Sequence, residues 1–367
     1  MKVIISNNAI VPYRTHFLNM FFSKYKGEFE KLLVLYLTHS ESIRNWNNNS
    51  EAEFDSVVLD NFYQARNKKT TTSDIILNRN FIKYLKSTDI FLSLGYSYPT
   101  YLVMAFFSKI KGIKTACFCE TNISDSKRSI LKSKFKKILL NSLYDRFFVP
   151  GINAEDYLLD LGISKNKIVT IGNSAPFSIS QEEINYISDD NVNRSTLNLL
   201  YVGRLSEEKN IVNALKWIEF FEPSINITIV GSGPLLTSVE ELASYSKHNY
   251  KLLDNIEREK LPYIYKSNDV LLLPSLSETW GLVANEAVSC GMALFLSEHV
   301  GCAPELIKNN GEVFELLNKS DFLRKLGLIY ENIENYKEAS KLLQYDISAE
   351  KNATLLYDAL RDLYEDN

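Results

Sequence analysis

Short apolar runs alternate with amphipathic segments along the whole chain, a pattern typical of parallel strands joined by crossover helices. In the first half, helical periodicity predicts helices that begin near Thr15, Asp74, Tyr98, Lys127 and Ala154. Between them, six apolar runs predict strands at residues 3–5, 32–36, 57–59, 90–94, 115–119 and 146–149. These elements predict a first α/β domain over residues 1–175.

The pattern restarts after residues 172–196, which lose periodicity, collect polar side chains and are interpreted as an interdomain connection. Strands are then predicted at residues 197–202, 225–230, 250–253, 270–273 and 293–296. A second α/β domain is therefore predicted over residues 192–346. Residues 347–367 form a predicted terminal helix that needs a surface to cover, because apolar residues recur at helical spacing: Ala353, Leu355, Leu356, Leu360 and Leu363.

Composition adds a charge asymmetry to this picture. The 367 residues carry a formal net charge of −4, but residues 1–150 hold 22 lysines and arginines against 12 acids, and the remainder holds 19 against 33. A basic half suits an anionic membrane surface or nucleic acid. Four cysteines are too few for a disulfide scaffold, and no signal peptide or membrane-spanning run is recognisable, so cytoplasmic residence is expected.

The first segment with candidate ligand-binding residues follows the strand at residues 197–202. Gly203 comes directly after the strand, Arg204 is next to it, and Lys209 stands where a helix should begin. Ligands of open α/β sheets bind outside the carboxyl ends of the strands, and a paired Arg and Lys suit a diphosphate there. The alternative is a solvated loop that holds an Arg–Glu pair.

The glycines after the next strand repeat this geometry. Gly231 and Gly233 allow a tight turn through which backbone can approach a ligand, and Pro234 suits the first turn of a helix. Exposed amides at such a helix start favour an anion, although a mere tight turn is the alternative. The first strand lacks the G-x-G-x-x-G pattern, which disfavours a dinucleotide dehydrogenase.

Two carboxylates stand near the strand at residues 270–273. Glu278 lies in the loop after that strand, and Glu286 lies one or two turns into the following helix. Each carboxylate can accept two hydroxyl hydrogen bonds, so the pair could hold a sugar at one end of a nucleotide sugar and the ribose at the other. Gly281 lies between them, where a phosphate would lie. A helix cap by Glu278 with Glu286 on the surface is the alternative.

These motifs occur in a specific order: G-R-L-x-x-x-K-N, V-G-x-G-P, P-S-x-x-E-x7-E-A-x-x-C-G and G-C-A-P-E-L-I, over about residues 197–310. The succession resembles the retaining glycosyltransferases of family 4, which have the GT-B fold of two Rossmann-like, doubly wound domains that face each other across a cleft. The resemblance implies that Arg204 and Lys209 neutralise the donor diphosphate, Glu286 binds the ribose and Glu278 the transferred sugar. It also implies backbone contacts with phosphate and sugar from Gly281, Leu282 and Val283.

The first domain resembles the family only in its alternation of strands and helices, as is usual for an acceptor-binding domain. Family members often have a glycine-rich loop after the first strand and a histidine later in this domain. Here the loop at residues 7–16 lacks glycine, and Glu120 stands near the histidine position. Glu120 is a candidate for orienting an acceptor or donor hydroxyl, or else a structural carboxylate. His16 is a candidate donor contact, with helix capping or partial burial as its alternative.

Two further features of the donor site are the nucleotide base that it accepts and its requirement for a metal ion. Asn255 stands where family members often carry a glycine near the base, so base identity cannot be carried over. There is no D-x-D motif, which favours a metal-independent transferase that needs no cofactor and whose cations act in place of Mg²⁺.

Residues 127–137 hold six basic residues and no acid. Apolar residues in this region share one helical face, so the cations flank an apolar stripe made of Ile130, Leu131, Phe135, Ile138 and Leu139. Such a helix, spanning residues 127–143, could lie at an anionic membrane. Packing on its own sheet with a solvated lysine rim is the alternative, and nucleic acid is disfavoured for want of a recognition motif.

The sequence thus predicts a hexosyltransferase that uses a UDP- or GDP-sugar donor and a saccharide acceptor, lipid-linked or part of a surface polysaccharide such as O-antigen or capsule. Two other classes remain open at this point. One is a sugar-nucleotide-binding partner subunit without turnover, and the other is another sugar-nucleotide enzyme such as an epimerase.

Overall fold

The computed structural model describes residues 1–39, 52–65, 75–122, 130–175, 196–254, 256–257 and 260–366, with only the backbone at 130–132. The chain divides into two compact units. Unit 1 consists of residues 1–176 and 349–367, and unit 2 of residues 177–348. The predicted fold class, two α/β domains with parallel sheets, is confirmed.

Unit 1 contains a parallel sheet with strand order β3-β2-β1-β6-β7-β8-β9. Runs of valine, isoleucine and leucine form its central strands because these strands are buried on both faces. The hairpin β4–β5 stands apart from this sheet and is antiparallel. The strands are Lys2–Ala9 (β1), Lys31–Thr38 (β2), Ser56–Val58 (β3), Asn61–Ala65 (β4), Ile75–Asn78 (β5), Ile90–Ser93 (β6), Lys114–Phe118 (β7), Arg146–Val149 (β8) and Ile168–Thr170 (β9).

Helices cover both faces of this sheet. Ile4 of β1 points into a core with Met104 and Leu158, whereas its neighbour Ile5 points into a second core with Phe21. The helices of this part of the chain are Pro12–Tyr25 (α1), Pro99–Ile110 (α2), Ile130–Leu143 (α3) and Ile152–Asp160 (α4).

Unit 2 contains a second parallel sheet, with strand order β12-β11-β10-β13-β14-β15. The strands are Leu197–Val202 (β10), Ile225–Val230 (β11), Asn249–Leu253 (β12), Val270–Leu273 (β13), Ala293–Ser297 (β14) and Gly311–Phe314 (β15). The helices are Ile211–Ile218 (α5), Leu236–Tyr245 (α6), Leu261–Lys266 (α7), Leu282–Ser289 (α8), Ala303–Leu306 (α9) and Lys319–Leu343 (α10). They divide between a core around Leu215 and Phe322 and another around Tyr265 and Ala287.

The last helix, Ala349–Glu365 (α11), returns to unit 1 and packs on α1. Its Leu356 and Leu360 are buried in the same core as Phe21, and the rings of Tyr357 and Tyr25 stack with centroids 4.2 Å apart. The helical spacing predicts that Leu355 also belongs to this buried face. That prediction is wrong, because 37% of Leu355 is exposed.

The helix predicted near Asp74 is wrong. Asp74 lies outside the described residues, and Ile75–Asn78 forms strand β5 of the antiparallel hairpin. Ile76 is fully buried, and the Asn78 amide donates to the Leu37 carbonyl at 2.8 Å. These long-range contacts override the weak helical pattern of so short a segment. Strands β4, β9 and β15 were not predicted either. They lie in the hairpin or at a sheet edge and are only partly buried, so none of them gives a continuous buried apolar run.

Candidate functional site

The strand order of unit 2 reverses direction between β10 and β13, which are neighbours in the sheet. Open α/β sheets bind ligands at such a switch point, outside the carboxyl ends of the strands. The loops that leave these two strands are joined, because the amide of Leu276 donates to the carbonyl of Glu208 at 2.9 Å. The residues that follow β10 and β13 therefore meet at one place.

Lys209 and Glu278 form a salt bridge across this switch point. Lys209 ends the short 3₁₀ turn Glu207–Lys209 after β10, and Glu278 lies in the loop after β13. Their side chains are only 20% and 18% exposed, so each charge has lost most of its hydration. The structure thus pairs a predicted diphosphate-binding cation with a predicted sugar-binding carboxylate.

Arg204 takes a different partner. Its exposed guanidinium pairs with Glu208, four residues further on, and its carbonyl accepts a hydrogen bond from Tyr201 at 2.8 Å. Burial favours the protonated Glu208 carboxyl, but hydrogen bonds from its own amide and from Ser206, together with the Arg204 charge, hold its pKa below the ordinary value. The Arg–Glu pair considered as an alternative for this loop is therefore present without ligand.

The glycines after β10 and β11 bring two loops into close contact. A Cβ on Gly231 would lie 2.0 Å from the carbonyl oxygen of Gly203, and one on Gly233 would lie 2.3 Å from that of Leu205. Gly231 and Gly233 have φ values of +142° and +154°, which side chains rarely adopt. These glycines have a steric role, because they allow the loop that carries Arg204 to pack on the neighbouring strand end.

Helix α8 begins at the same edge of the sheet. Gly281, with φ of +97°, is its N-cap, and Leu282 and Val283 are its first, half-buried residues. The loop before it is fastened to the loop after β14, because the amides of Gly301 and Cys302 donate to the carbonyls of Glu278 and Trp280, each at 2.9 Å. The amides of the first helical turn need acceptors, which makes this end suited to an anion.

Glu286 lies one turn into α8 and is buried, with 8% exposure. Its Oε2 accepts a hydrogen bond from the hydroxyl of Tyr265 on α7. Glu286 on the surface, the alternative to a binding role, is therefore wrong. Sequence reasoning missed Tyr265, because only the packing of α7 on α8 brings the two side chains together.

Unit 1 contains a second polar cluster, around Glu120 after β7. Arg14 of α1 pairs with its Oε2 at 2.7 Å, and the Asn173 amide donates to its Oε1 at 3.2 Å. Burial disfavours the charged Arg14, but the Glu120 charge and contact with Tyr13 outweigh it and raise the pKa of Arg14. These polar groups border a cavity of about 50 Å³ with a largely aromatic and aliphatic lining. Arg14 and Asn173 were not predicted, because nothing in their local sequence marks them.

His16 is half-buried in the second turn of α1, which begins at Pro12 rather than near Thr15. The predicted base contact Asn255 lies outside the described residues. Within the part of the chain that the structure describes, no cluster of three histidine, cysteine or acidic side chains could hold a metal ion. No described helix has the length and apolar character needed to cross a bilayer.

Two α/β units, each built on a doubly wound parallel sheet, have the architecture of the GT-B fold class. Comparison with solved structures agrees. Anabaena Alr3699/HepE in complex with UDP superposes with a TM-score of 0.73 over 99% of this chain and 100% of that one, at 14% identity.

Sequence comparisons reach the same class. Residues 185–343 match the family model "Glycosyl transferases group 1". A 41.2 kDa protein of the Klebsiella pneumoniae cps region is 27% identical over 70% of this chain and 72% of its own length. The N,N'-diacetylbacillosaminyl-diphospho-undecaprenol alpha-1,3-N-acetylgalactosaminyltransferase of Campylobacter jejuni is 25% identical over 59% of this chain and 62% of its own length. Over these matched regions the chain is similar to group 1 glycosyltransferases.

Proposed function

We propose that the chain is a retaining glycosyltransferase of family 4 that moves a hexose-type sugar from a UDP- or GDP-sugar to a saccharide acceptor. The acceptor is lipid-linked or belongs to a surface polysaccharide such as capsule or O-antigen. The observation that carries this proposal is the Lys209–Glu278 pair at the switch point of unit 2. The cps-region relative and the undecaprenol-linked acceptor in the name of the Campylobacter relative support the acceptor class.

Donor binding exchanges partners at this ion pair. Without donor, Lys209 and Glu278 neutralise each other, so neither charge is left unpaired in a half-buried place. When the donor enters, Lys209 turns to the diphosphate and Glu278 accepts hydrogen bonds from hydroxyls of the transferred sugar. Arg204, released from Glu208, adds a second cation to the diphosphate, and the protein needs no metal or other cofactor.

The rest of the donor site lies along α8. The backbone amides of Gly281, Leu282 and Val283 bind phosphate and sugar at the helix start, where the helix dipole favours negative charge. Glu286, one turn further on, binds the ribose hydroxyls. Gly203, Gly231 and Gly233 hold the loops close enough for these groups to reach one ligand.

Transfer proceeds on one face of the sugar. The bond between the anomeric carbon and the diphosphate oxygen breaks, the acceptor oxygen bonds to that carbon from the same side, and the acceptor proton passes to the departing phosphate. Lys209 and Arg204 stabilise the negative charge that grows on the leaving group. The acceptor binds unit 1, where Glu120, held by Arg14, orients a hydroxyl. His16 keeps its predicted role as a donor contact.

Screening nucleotide sugars by thermal shift tests the proposal. The true donor, at 100 times its dissociation constant, adds about 2.7 kcal/mol of stability and raises the melting temperature by roughly 5 °C or more. Incubation with the stabilising donor should yield free nucleotide only when acceptor is also present. Nucleotide release without acceptor, or an altered donor sugar, would point to a different sugar-nucleotide enzyme, and binding without turnover would point to a partner subunit.

We also propose that α3 holds the protein at the cytoplasmic face of an anionic membrane. The helix packs on its sheet through Leu140 and Leu143, yet Phe135 and Ile138 are 69% and 68% exposed. Lys134 and Lys137 flank these exposed apolar side chains. The side chains of Ile130, Leu131 and Lys132 are not described, and residues 127–129 lie wholly outside the described residues. Lys136 faces elsewhere, because it donates to the Tyr157 hydroxyl at 3.0 Å.

The protein should sediment with vesicles that contain anionic lipid, and high salt should weaken this binding. Each lysine near such a surface contributes about 1 kcal/mol, so replacing Lys134 and Lys137 with glutamine should weaken vesicle binding by roughly 30-fold. A matched control replaces Lys216 and Lys251, two exposed lysines of unit 2, with glutamine. Equal losses in both double variants, or binding that ignores salt, would count against the assignment to α3.

A further inference from the structure

Tyr265 brings its hydroxyl to Glu286 inside the core of unit 2. The tyrosine is fully buried, and its ring packs in the apolar cluster that contains Leu271 and Ala287. Its hydroxyl donates a hydrogen bond to Oε2 of Glu286, which lies on the adjacent helix. Burial, reinforced by the Glu286 charge, raises the pKa of Tyr265 far above its ordinary value. The phenol therefore stays protonated and acts as a hydrogen-bond donor.

This contact determines how the carboxylate is held. A glutamate side chain rotates about three bonds, and fixing it in one geometry costs conformational entropy when a ligand has to do so. The Tyr265 ring is already immobilised by packing. Its hydroxyl therefore has a fixed position, and its hydrogen bond restricts the rotation of the Glu286 carboxylate. A carboxylate offers about four acceptor positions on its two oxygens, so a hydrogen bond from the phenol is compatible with further hydrogen bonds from ligand hydroxyls.

We propose that Tyr265 is a positioning residue that orients Glu286 toward the ribose hydroxyls of the donor nucleotide, and so gives the site its preference for ribonucleotides. The inference rests on the proposed function, because it takes Glu286 as the ribose-binding group. Tyr265 does not touch the ligand itself. Its effect is to prepare the carboxylate before the nucleotide arrives, so that hydroxyls on the ribose find an acceptor already in place.

Calorimetric titration with UDP, GDP and their 2′-deoxy analogues tests this role. A hydrogen bond to a charged group is worth enough for the wild-type protein to bind the ribonucleotide about tenfold or more tightly than the 2′-deoxy analogue. In Tyr265→Phe the ring still fills its place but the hydroxyl is gone, so the preference should fall below about threefold. Tyr263→Phe, which changes an exposed tyrosine on the same helix, should keep the wild-type preference.

Glu286→Gln supplies the second arm of the experiment. It should lose the preference, and adding Tyr265→Phe to it should change the preference no further, because both substitutions act on the same contact. Should Tyr265→Phe melt below the assay temperature, Tyr265→Met takes its place, since methionine also fills the site without a hydroxyl.

The outcomes separate the two claims. A wild-type protein that binds neither UDP nor GDP, or shows no ribose preference, overturns the nucleotide site on which the proposed function depends. A wild-type protein that prefers the ribonucleotide, together with a Tyr265→Phe variant that keeps the full preference, overturns the positioning role alone.

Discussion

Replacing Lys209 with alanine should lower the turnover number for sugar transfer by about 10²- to 10³-fold while the protein stays folded. The loss follows because only the exposed Arg204 is left to stabilise the charge that grows on the departing diphosphate, and removal of one such group typically costs this much. Steady-state kinetics with saturating donor measure the effect. Lys216→Ala, which removes an exposed lysine from α5, is the matched control and should retain wild-type turnover.

The ion pair allows stability and activity to be separated. Lys209→Ala leaves Glu278, whose side chain is 18% exposed, without its cation, and this should cost roughly 1 to 3 kcal/mol of unfolding free energy. The double variant Lys209→Ala, Glu278→Ala removes the unpaired charge and should recover the melting temperature but not the turnover. Recovery of both would mean that Lys209 serves only to neutralise Glu278.

Glu286→Gln should lower kcat/KM for the donor by about 10²-fold. The amide has nearly the size of the carboxylate, so the buried place in α8 stays filled, but charge-assisted hydrogen bonds to the ribose are lost. Initial rates at low donor concentration measure this, and the effect should fall mainly on the donor rather than on the acceptor KM. Glu241→Gln, at an exposed position of α6, is the control.

Two results would contradict this expectation. Wild-type kcat/KM in Glu286→Gln would remove the ribose assignment. A loss of activity accompanied by a melting temperature far below that of Glu241→Gln would show that Glu286 is needed for the packing of α7 on α8 and not for the ligand.

The strands at the centre of both sheets could be predicted because their environment is uniform. Strand β13, for example, is buried on both faces, so every position is apolar and the run is unmistakable. The hairpin that contains β5 could not be predicted in this way. The side-chain amide of Asn78, which supports it, donates a hydrogen bond to the carbonyl of Leu37, a residue far away in the sequence.

The candidate site shows the same division. The positions of Lys209, Glu278 and Glu286 relative to strand ends follow from local sequence, because a loop after a parallel strand opens at one edge of the sheet. Their partners do not follow, since the pairing of Lys209 with Glu278 depends on which strands are neighbours. The contact of Tyr265 with Glu286 depends on helix packing, which no local pattern encodes.

The return of α11 to unit 1 has a consequence for synthesis on the ribosome. Leu18 and Phe21 of α1 share their core with Leu356 and Leu360 of α11, and these two leucines emerge only after all of unit 2 has been made. All residues of unit 2 are therefore available for folding while unit 1 still lacks the helix that completes one of its two cores. Until α11 has been made, the aromatic side chains of α1 that it covers, such as Phe21, remain exposed on the nascent amino-terminal region.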